Sequence, residues 1–167
     1  MVIEFHGHND LGMAAANAIS AAQAGAQALS VTVNGLGERA GNAPLEEVAL
    51  GLPVAAGKSC RIRPEALQTI CSYVARLSGR SIPPDKPVTG SVIFTHESSI
   101  HCHGLMQNDL SYQPYHPQKV GRRIEMILGK HSGRHVYRKL AEGQGLEPRF
   151  TKPEPVVLPL DDPPAGN

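Results

Sequence analysis

The order of the first three segments of this chain limits its fold more than any other feature of the sequence. Residues 2–6 form a short apolar run, residues 11–23 are rich in alanine with apolar residues at helical spacing, and residues 28–33 are rich in valine and threonine. Two strands separated by one helix predict a parallel βαβ unit. Both predicted strands are short and apolar, which is typical of a sheet covered on both faces.

Two strands alone would leave parallel edges and apolar faces without cover. We therefore expect either that other chains complete the sheet or that this segment belongs to a larger fold. If neither holds, the open edges should favour association. Asn9 or Asp10 is a candidate cap for the first helix. Further helices are predicted from Pro44 to about Leu52 and over residues 64–77.

The sequence divides into three predicted regions. Residues 1–80 hold the two strands and the first helices. Residues 81–147 comprise a proline-rich linker at 83–87 and a small, mainly helical subdomain with a helix over 135–142. Residues 148–167 contain six prolines among twenty residues, which predicts a disordered tail.

Composition excludes several classes of partner. The chain has 167 residues, 41% of them hydrophobic and 19% charged, with a net charge of +1. Such a balance argues against a nucleic-acid or membrane-surface partner. No apolar run reaches the length of a membrane span, and the start lacks the pattern of a secretory signal. The three cysteines show no CxxC spacing, so reduced thiols and a cytoplasmic location are expected.

The most informative polar motif lies where the first strand ends. His6 and His8 are two residues apart, so their imidazoles should project to one face of the strand. Polar groups at the carboxyl end of a parallel strand are where α/β sites form, and imidazole is a common metal ligand. Asn9 and Asp10 are candidates to fix the imidazole tautomers from behind. Alternatively, the histidines are plain polar residues at a strand end.

A glycine-rich loop over residues 34–42 follows the second strand, and its end should lie beside the first. Its three glycines permit a tight backbone that approaches other groups closely. The side-chain carbonyl of Asn42 is a possible ligand for a hard cation. The alternative role for Asn42 is to cap the helix that follows Pro44.

Several long motifs occur in order along residues 2–140, and together they resemble one enzyme family. The family is the acyl-CoA-condensing metalloenzymes that include the homocitrate and 2-isopropylmalate synthases. The motifs are His6-Gly7-His8-Asn9-Asp10-Leu11-Gly12, Asn34-Gly35-Leu36-Gly37-Glu38-Arg39-Ala40-Gly41-Asn42, Phe94-Thr95-His96-Glu97-Ser98-Ser99-Ile100-His101, Tyr112, Val120-Gly121-Arg122 and Gly129-Lys130-His131-Ser132-Gly133. Two further stretches, Ile3-Glu4-Phe5 and Pro84-Asp85-Lys86-Pro87, look most like the homocitrate synthases of nitrogen fixation.

The resemblance implies an α/β fold, in which this chain supplies the last two βα units of a (β/α)₈ TIM barrel and a mainly helical C-terminal subdomain. It implies that His6 and His8 bind a divalent metal (zinc, manganese or magnesium), with Asn42 as a weaker or nearby ligand. The family's remaining ligand is a carboxylate on the first strand of the barrel. That strand would lie outside this chain.

The resemblance also implies the reaction. Members of the family condense acetyl-CoA with a 2-oxo acid and then hydrolyse the thioester. His101 and Tyr112 match the histidine and tyrosine that reach over the barrel of a partner subunit, so a homodimer is expected. Ser99 stands where the family usually has glycine, which departs from the pattern in that turn. On its residues alone, His101 could equally be a structural histidine.

Alternatives remain within and outside the family. Lyases of the same superfamily carry a cysteine in the glycine-rich loop, and residues 35–42 contain none, which favours a synthase. Homocitrate synthase activity with 2-oxoglutarate is the first expectation. The second is 2-isopropylmalate synthase activity with 2-oxoisovalerate. The third is a non-catalytic fragment, because one metal carboxylate would be missing.

Overall fold

The computed structural model describes residues 1–96, 110, 113–123, 125–128 and 156–159, and for His96 and the last two ranges it describes the backbone only. The chain forms two compact units. The first contains residues 1–93 and 119–121, and the second contains residues 94–118 and 122–167. The domain boundary predicted at residue 80 therefore falls thirteen residues before the boundary at residue 93.

The first unit begins with the predicted strand, helix and strand. Strand β1 (Glu4–His6) and strand β2 (Ala28–Ser30) pair in parallel, with Phe5 opposite Leu29 and His6 opposite Ser30. Helix α1 (Ala14–Gln23) connects them. The parallel βαβ unit is thus confirmed, although the two strands are shorter than the apolar runs that predicted them.

Local backbone geometry explains the shorter elements. Gly12 has a φ of +73°, so the chain turns there and α1 starts at Ala14 rather than Leu11. After β2, a 3₁₀ turn (Val33–Gly35) contains Asn34 at φ 59°, which interrupts any continuing strand. Gly25 has a φ of +111° and directly follows Ala24, the C-terminal cap of α1.

Two more helices complete the first unit. Helix α2 (Leu45–Ala55) begins directly after Pro44 and continues through Pro53. A short 3₁₀ turn (Pro64–Ala66) leads into helix α3 (Leu67–Ser78), which ends at left-handed Gly79. The small core joins α1 to α2 and the sheet through Ala14, Ala18, Ala43 and Val48, with Phe5, Leu29 and Val31 packed against it. None of the described helices has the length and hydrophobicity that a bilayer crossing requires.

The proline-rich stretch expected to be a linker is folded into the first unit. Backbone hydrogen bonds run from Lys86 N to Pro83 O (3.1 Å), from Gly90 N to Lys86 O (2.8 Å) and from Val92 N to Pro84 O (3.0 Å). Val88 and Thr89 are buried in this turn. Prolines fix the turn conformation here rather than extending the chain.

The second unit contains a three-stranded sheet. Strand β3 (Thr95–His96) pairs in parallel with strand β4 (Glu125–Leu128), and β4 pairs antiparallel with strand β5 (Val156–Pro159). The described part of this unit therefore contains three strands and the start of a 3₁₀ turn (Pro117–Val120), where a mainly helical subdomain was expected. Its β5 also lies in the predicted disordered tail. The run Val156-Val157-Leu158 has the β-propensity that proline counts conceal. The helix predicted over 135–142 lies outside the described residues.

Candidate metal centre

The two histidines lie side by side at the carboxyl end of β1. Their ring centroids are 4.9 Å apart and the planes are nearly perpendicular, with an angle of 89°. Both residues are exposed. The strand ends at His6, and His8 forms an isolated antiparallel bridge with Asn42. The sequence expectation that the rings share one face agrees with this arrangement.

Backbone hydrogen bonds hold the glycine-rich loop against the histidine segment. Asn9 N donates to Gly41 O (2.9 Å), and Ala43 N donates to Gly7 O (3.1 Å). These bonds lie on either side of Asn42 and bring its backbone beside that of His8. Candidate ligands that are 34 residues apart in sequence thus meet through the main chain.

The two polar atoms of the Asn42 side chain differ in their contacts. Its Nδ2 donates to Leu36 O at 3.1 Å, whereas its Oδ1 is buried and has no hydrogen-bond partner among the described residues. A buried carbonyl oxygen without a partner is costly and calls for an ion or water. Helix α2 is preceded by Pro44, and Asn42 makes no capping bond to it. The alternative role as a helix cap is therefore wrong.

Glycines allow the loop to close this tightly. A Cβ on Gly37 would lie 2.6 Å from Asn42 Nδ2, and a Cβ on Gly41 would collide with the carbonyl oxygen of Gly35. Gly41 also has a φ of +91°, which side chains disfavour. The loop backbone thus occupies space that any larger residue would need.

Asn9 and Asp10 have partners other than the imidazoles. Asn9 Oδ1 accepts a hydrogen bond from Ala14 N (3.1 Å) at the start of α1. Asp10 forms a two-pronged pair with Arg39, at 2.8 Å to Nε and 2.9 Å to Nη2. The hydrogen bond from Arg39 lowers the pKa of the Asp10 carboxyl, and the charge of Arg39 and the proximity of His8 act in the same direction. In this structure Asp10 joins the two loops and Asn9 supports the helix start.

The donor set fits a metal ion of nitrogen and oxygen preference. Two imidazoles and an amide carbonyl suit zinc or manganese, and the free Asn42 Oδ1 is the observation that supports the fit. Within the described ranges, no cluster of three or more His, Cys, Asp or Glu side chains could hold a metal ion.

A buried charged cluster lies behind the glycine-rich loop, and the sequence did not reveal it. Glu46, in the first turn of α2, is fully buried. Its Oε2 accepts a hydrogen bond from Asn34 N (3.0 Å), and its Oε1 lies 3.0 Å from Lys86 Nζ. Lys86 also contacts Glu47 at 2.7 Å. Adjacent glutamates in a first helical turn normally face solvent, and only the structure shows that one is enclosed.

The candidate catalytic residues His101 and Tyr112 lie outside the described residues. Their roles therefore stay predictions.

Comparison with known proteins adds two family matches. Residues 1–73 match the HMGL-like model, and residues 88–156 match the model for the homocitrate synthase post-HMGL domain-like region. The first match lies within the first compact unit, and the second match falls mainly on the second unit. Members of the HMGL-like synthase family generally depend on a divalent metal ion.

Relatives with several names are similar to the chain. A probable 2-isopropylmalate synthase of Methanopyrus kandleri is 45% identical over 87% of the chain and 29% of its own length. Homocitrate synthase 1 of Nostoc sp. is 44% identical over 95% of the chain and 41% of its own length. A putative (R)-citramalate synthase of Methanopyrus kandleri is 45% identical over 88% of the chain and 29% of its own length.

The chain thus spans between 29% and 41% of the length of these relatives. The three relatives are named as synthases of three different products. By these matches residues 1–73 are similar to the HMGL-like family, and residues 88–156 are similar to the homocitrate synthase post-HMGL domain-like region.

Proposed function

We propose that this chain supplies the two-histidine face of the metal centre in a synthase that condenses acetyl-CoA with a 2-oxo acid. The 2-oxo acid proposed first is 2-oxoglutarate, which makes the enzyme a homocitrate synthase. The carrying observation is that His6 and His8 lie side by side at the end of β1, and that the backbone of His8 pairs with Asn42, whose Oδ1 is buried without a partner among the described residues. The similarity to homocitrate synthase 1 of Nostoc sp. over 95% of the chain supports the substrate.

A second candidate has equal support from the relatives. The probable 2-isopropylmalate synthase of Methanopyrus kandleri is 45% identical, so 2-oxoisovalerate is the competing substrate. A more specific proposal is that the enzyme is a homocitrate synthase of the nitrogen-fixation type. It rests on the Ile3-Glu4-Phe5 and Pro84-Asp85-Lys86-Pro87 stretches alone.

In this proposal β1 and β2 are the seventh and eighth strands of a (β/α)₈ barrel, and a carboxylate from its first strand completes the ligand set. A divalent metal bound there would act as a Lewis acid toward the carbonyl group of the 2-oxo acid. His6 and His8 would bind it through neutral ring nitrogens, and Asn42 through Oδ1. The Asp10–Arg39 pair would keep the two ligand-bearing loops in register.

Proton transfer is assigned to the second unit. His101 is proposed as the general acid or base for the acetyl methyl group and the new hydroxyl group, because imidazole titrates near neutral pH. Tyr112 is proposed to act beside it. In a homodimer these two side chains would serve the barrel of the partner subunit.

A chimera tests the proposal. The segment of Nostoc homocitrate synthase 1 that aligns with this chain is replaced by the chain itself, and release of the CoA thiol is followed with 2-oxoglutarate, 2-oxoisovalerate or pyruvate. We expect turnover to be fastest with 2-oxoglutarate. Replacing His101 by Ala should lower turnover by about 10²–10⁴-fold, the range for a lost acid–base group.

The same chimera contains its own controls. Because His6→Ala/His8→Ala removes both imidazole ligands, that variant should lose bound metal and turnover together, whereas His101→Ala should keep its metal. Fastest turnover with 2-oxoisovalerate would transfer the assignment to the second candidate. A folded, metal-loaded chimera without thiol release on any of the three substrates would refute the proposal.

A further inference from the structure

Asn34, the first residue of the glycine-rich loop, has an unusual backbone. It has a φ of 59° and a ψ of 11°, a left-handed conformation that asparagine adopts more readily than most non-glycine residues. Two bonds hold it there. Its backbone N donates to Glu46 Oε2 (3.0 Å), and its Nδ2 donates to the carbonyl oxygen of Cys71 in α3 (2.8 Å). Contacts from outside the loop therefore stabilise this conformation.

The Asn34 conformation sets the direction of Gly35, and Gly35 holds the candidate ligand. Asn42 N donates to Gly35 O at 3.0 Å, and Gly35 N donates to Thr32 O at 3.0 Å. A path of adjacent bonds thus runs from the Glu46 carboxylate through Asn34 and Gly35 to Asn42. The Asn42 backbone carries the side chain, so loss of the bond from Asn42 N to Gly35 O would displace Oδ1 and strain the bond from Nδ2 to Leu36 O.

A fully buried carboxylate needs strong compensation, since its desolvation is expensive. Lys86 provides it. The Lys86 side chain is only 12% exposed, and it lies 3.0 Å from Glu46 and 2.7 Å from Glu47. Burial alone would lower the pKa of Lys86, but its contacts with Glu47 and Glu46 raise it overall, so it stays charged.

We propose that Glu46 is a positioning residue for the metal centre, with Lys86 as its counter-charge: it holds Asn34 left-handed and thereby sets Asn42 Oδ1 beside His6 and His8. This inference rests on the proposed metal centre. The alternative is that Glu46 stabilises the fold and has no specific effect on Asn42. The two differ in whether metal affinity changes separately from stability.

The chain offers a matched control. Glu47 neighbours Glu46, carries the same charge and also pairs with Lys86, but no contact to the loop is recorded for it among the described residues. Glu46→Gln and Glu47→Gln therefore remove the same charge from Lys86. Only the first alters the acceptor of the Asn34 N–H.

The experiment measures free Mn²⁺ by electron paramagnetic resonance while it is titrated into the full chain, with urea unfolding of each variant in parallel. We expect Glu46→Gln to weaken Mn²⁺ binding by about 10-fold or more, as for supporting groups behind metal ligands. Glu47→Gln should stay within about 2-fold of the unaltered chain, because the Asn34 contact persists. Equal affinities for the two variants would overturn the inference.

A glycine at position 34 gives a second measurement that does not depend on the stability of Glu46→Gln. Glycine adopts a positive φ without the clamp, so Glu46→Gln should weaken Mn²⁺ binding less in an Asn34→Gly chain than in the original. Additive effects would overturn the inference. If the unaltered chain binds Mn²⁺ no better than His6→Ala/His8→Ala, the proposed metal centre fails instead, and the two failures are distinct.

Discussion

At the scale of single residues, the glycine-rich loop shows what the sequence could and could not reveal. The sequence predicted that the loop backbone would approach other groups closely. Gly41 confirms this, because a Cβ at this position would collide with the carbonyl oxygen of Gly35. The partner of Asp10 was not predictable. Arg39 lies 29 residues away, and only the folded loop brings it to the carboxylate. Pairings of this kind depend on tertiary structure rather than on local pattern.

Substitution of Gly41 tests the close approach directly. Gly57→Ala is the matched control. Gly57 also has a positive φ (+63°), but a Cβ added there would have no neighbouring atom within 4 Å. The control should cost about 1–2 kcal/mol of unfolding free energy from backbone strain alone. Gly41→Ala should cost about 1–3 kcal/mol more, because an atom is forced into filled space. Urea denaturation measures both, and equal losses would show that the loop relaxes freely.

At the scale of elements, the sequence predicted the two strands and three helices of the first unit, but it predicted neither their ends nor the strands of the second unit. The 3.6-residue period predicted α1 and α3, but Gly12 and Gly79 decide where α1 can start and α3 must end. Beyond β2 the chain turns at left-handed Asn34, whose backbone N donates to Glu46 Oε2. That restraint comes from α2, so no window around β2 could have shown it.

Helix α3 should confer a specific pH dependence on stability. Burial raises the pKa of Cys71 from 9.0 to about 12, and the charge of Glu46 and its hydrogen bond with the thiol contribute. The folded state therefore favours the neutral thiol. That contribution is fully present below pH 9 and is lost as the pH rises toward 12.

The unfolding free energy of the unaltered chain should thus fall more steeply between about pH 8 and pH 10.5 than that of Cys71→Ala. Urea midpoints at several pH values measure the two slopes. Cys60→Ala serves as the control and should keep the slope of the unaltered chain, since Cys60 is only partly buried. Superimposable slopes for all three proteins would show that the thiol does not contribute.

At the scale of the whole molecule, the sequence predicted a parallel pair of strands with chemistry at their carboxyl ends, and the structure contains that pair. It did not predict that residues 83–92, which contain the proline-rich stretch, fold into the first unit. Prolines alone suggest an extended chain, and the sequence does not show the buried contact of Lys86 with Glu46. It also did not predict β5, whose partner β4 lies about 30 residues earlier. Both errors concern long-range pairing, which local composition does not encode.

The central claim is that His6, His8 and Asn42 form one metal-binding face, and paramagnetic broadening in the full ¹⁵N-labelled chain tests it most directly. Mn²⁺ broadens nearby nuclei even when binding is weak. We expect substoichiometric Mn²⁺ to broaden selectively the imidazole signals of His6 and His8 and the side-chain amide signal of Asn42, and we expect His6→Ala/His8→Ala to abolish the effect at Asn42. Broadening centred on other residues, or unchanged broadening of Asn42 in the double variant, would contradict it.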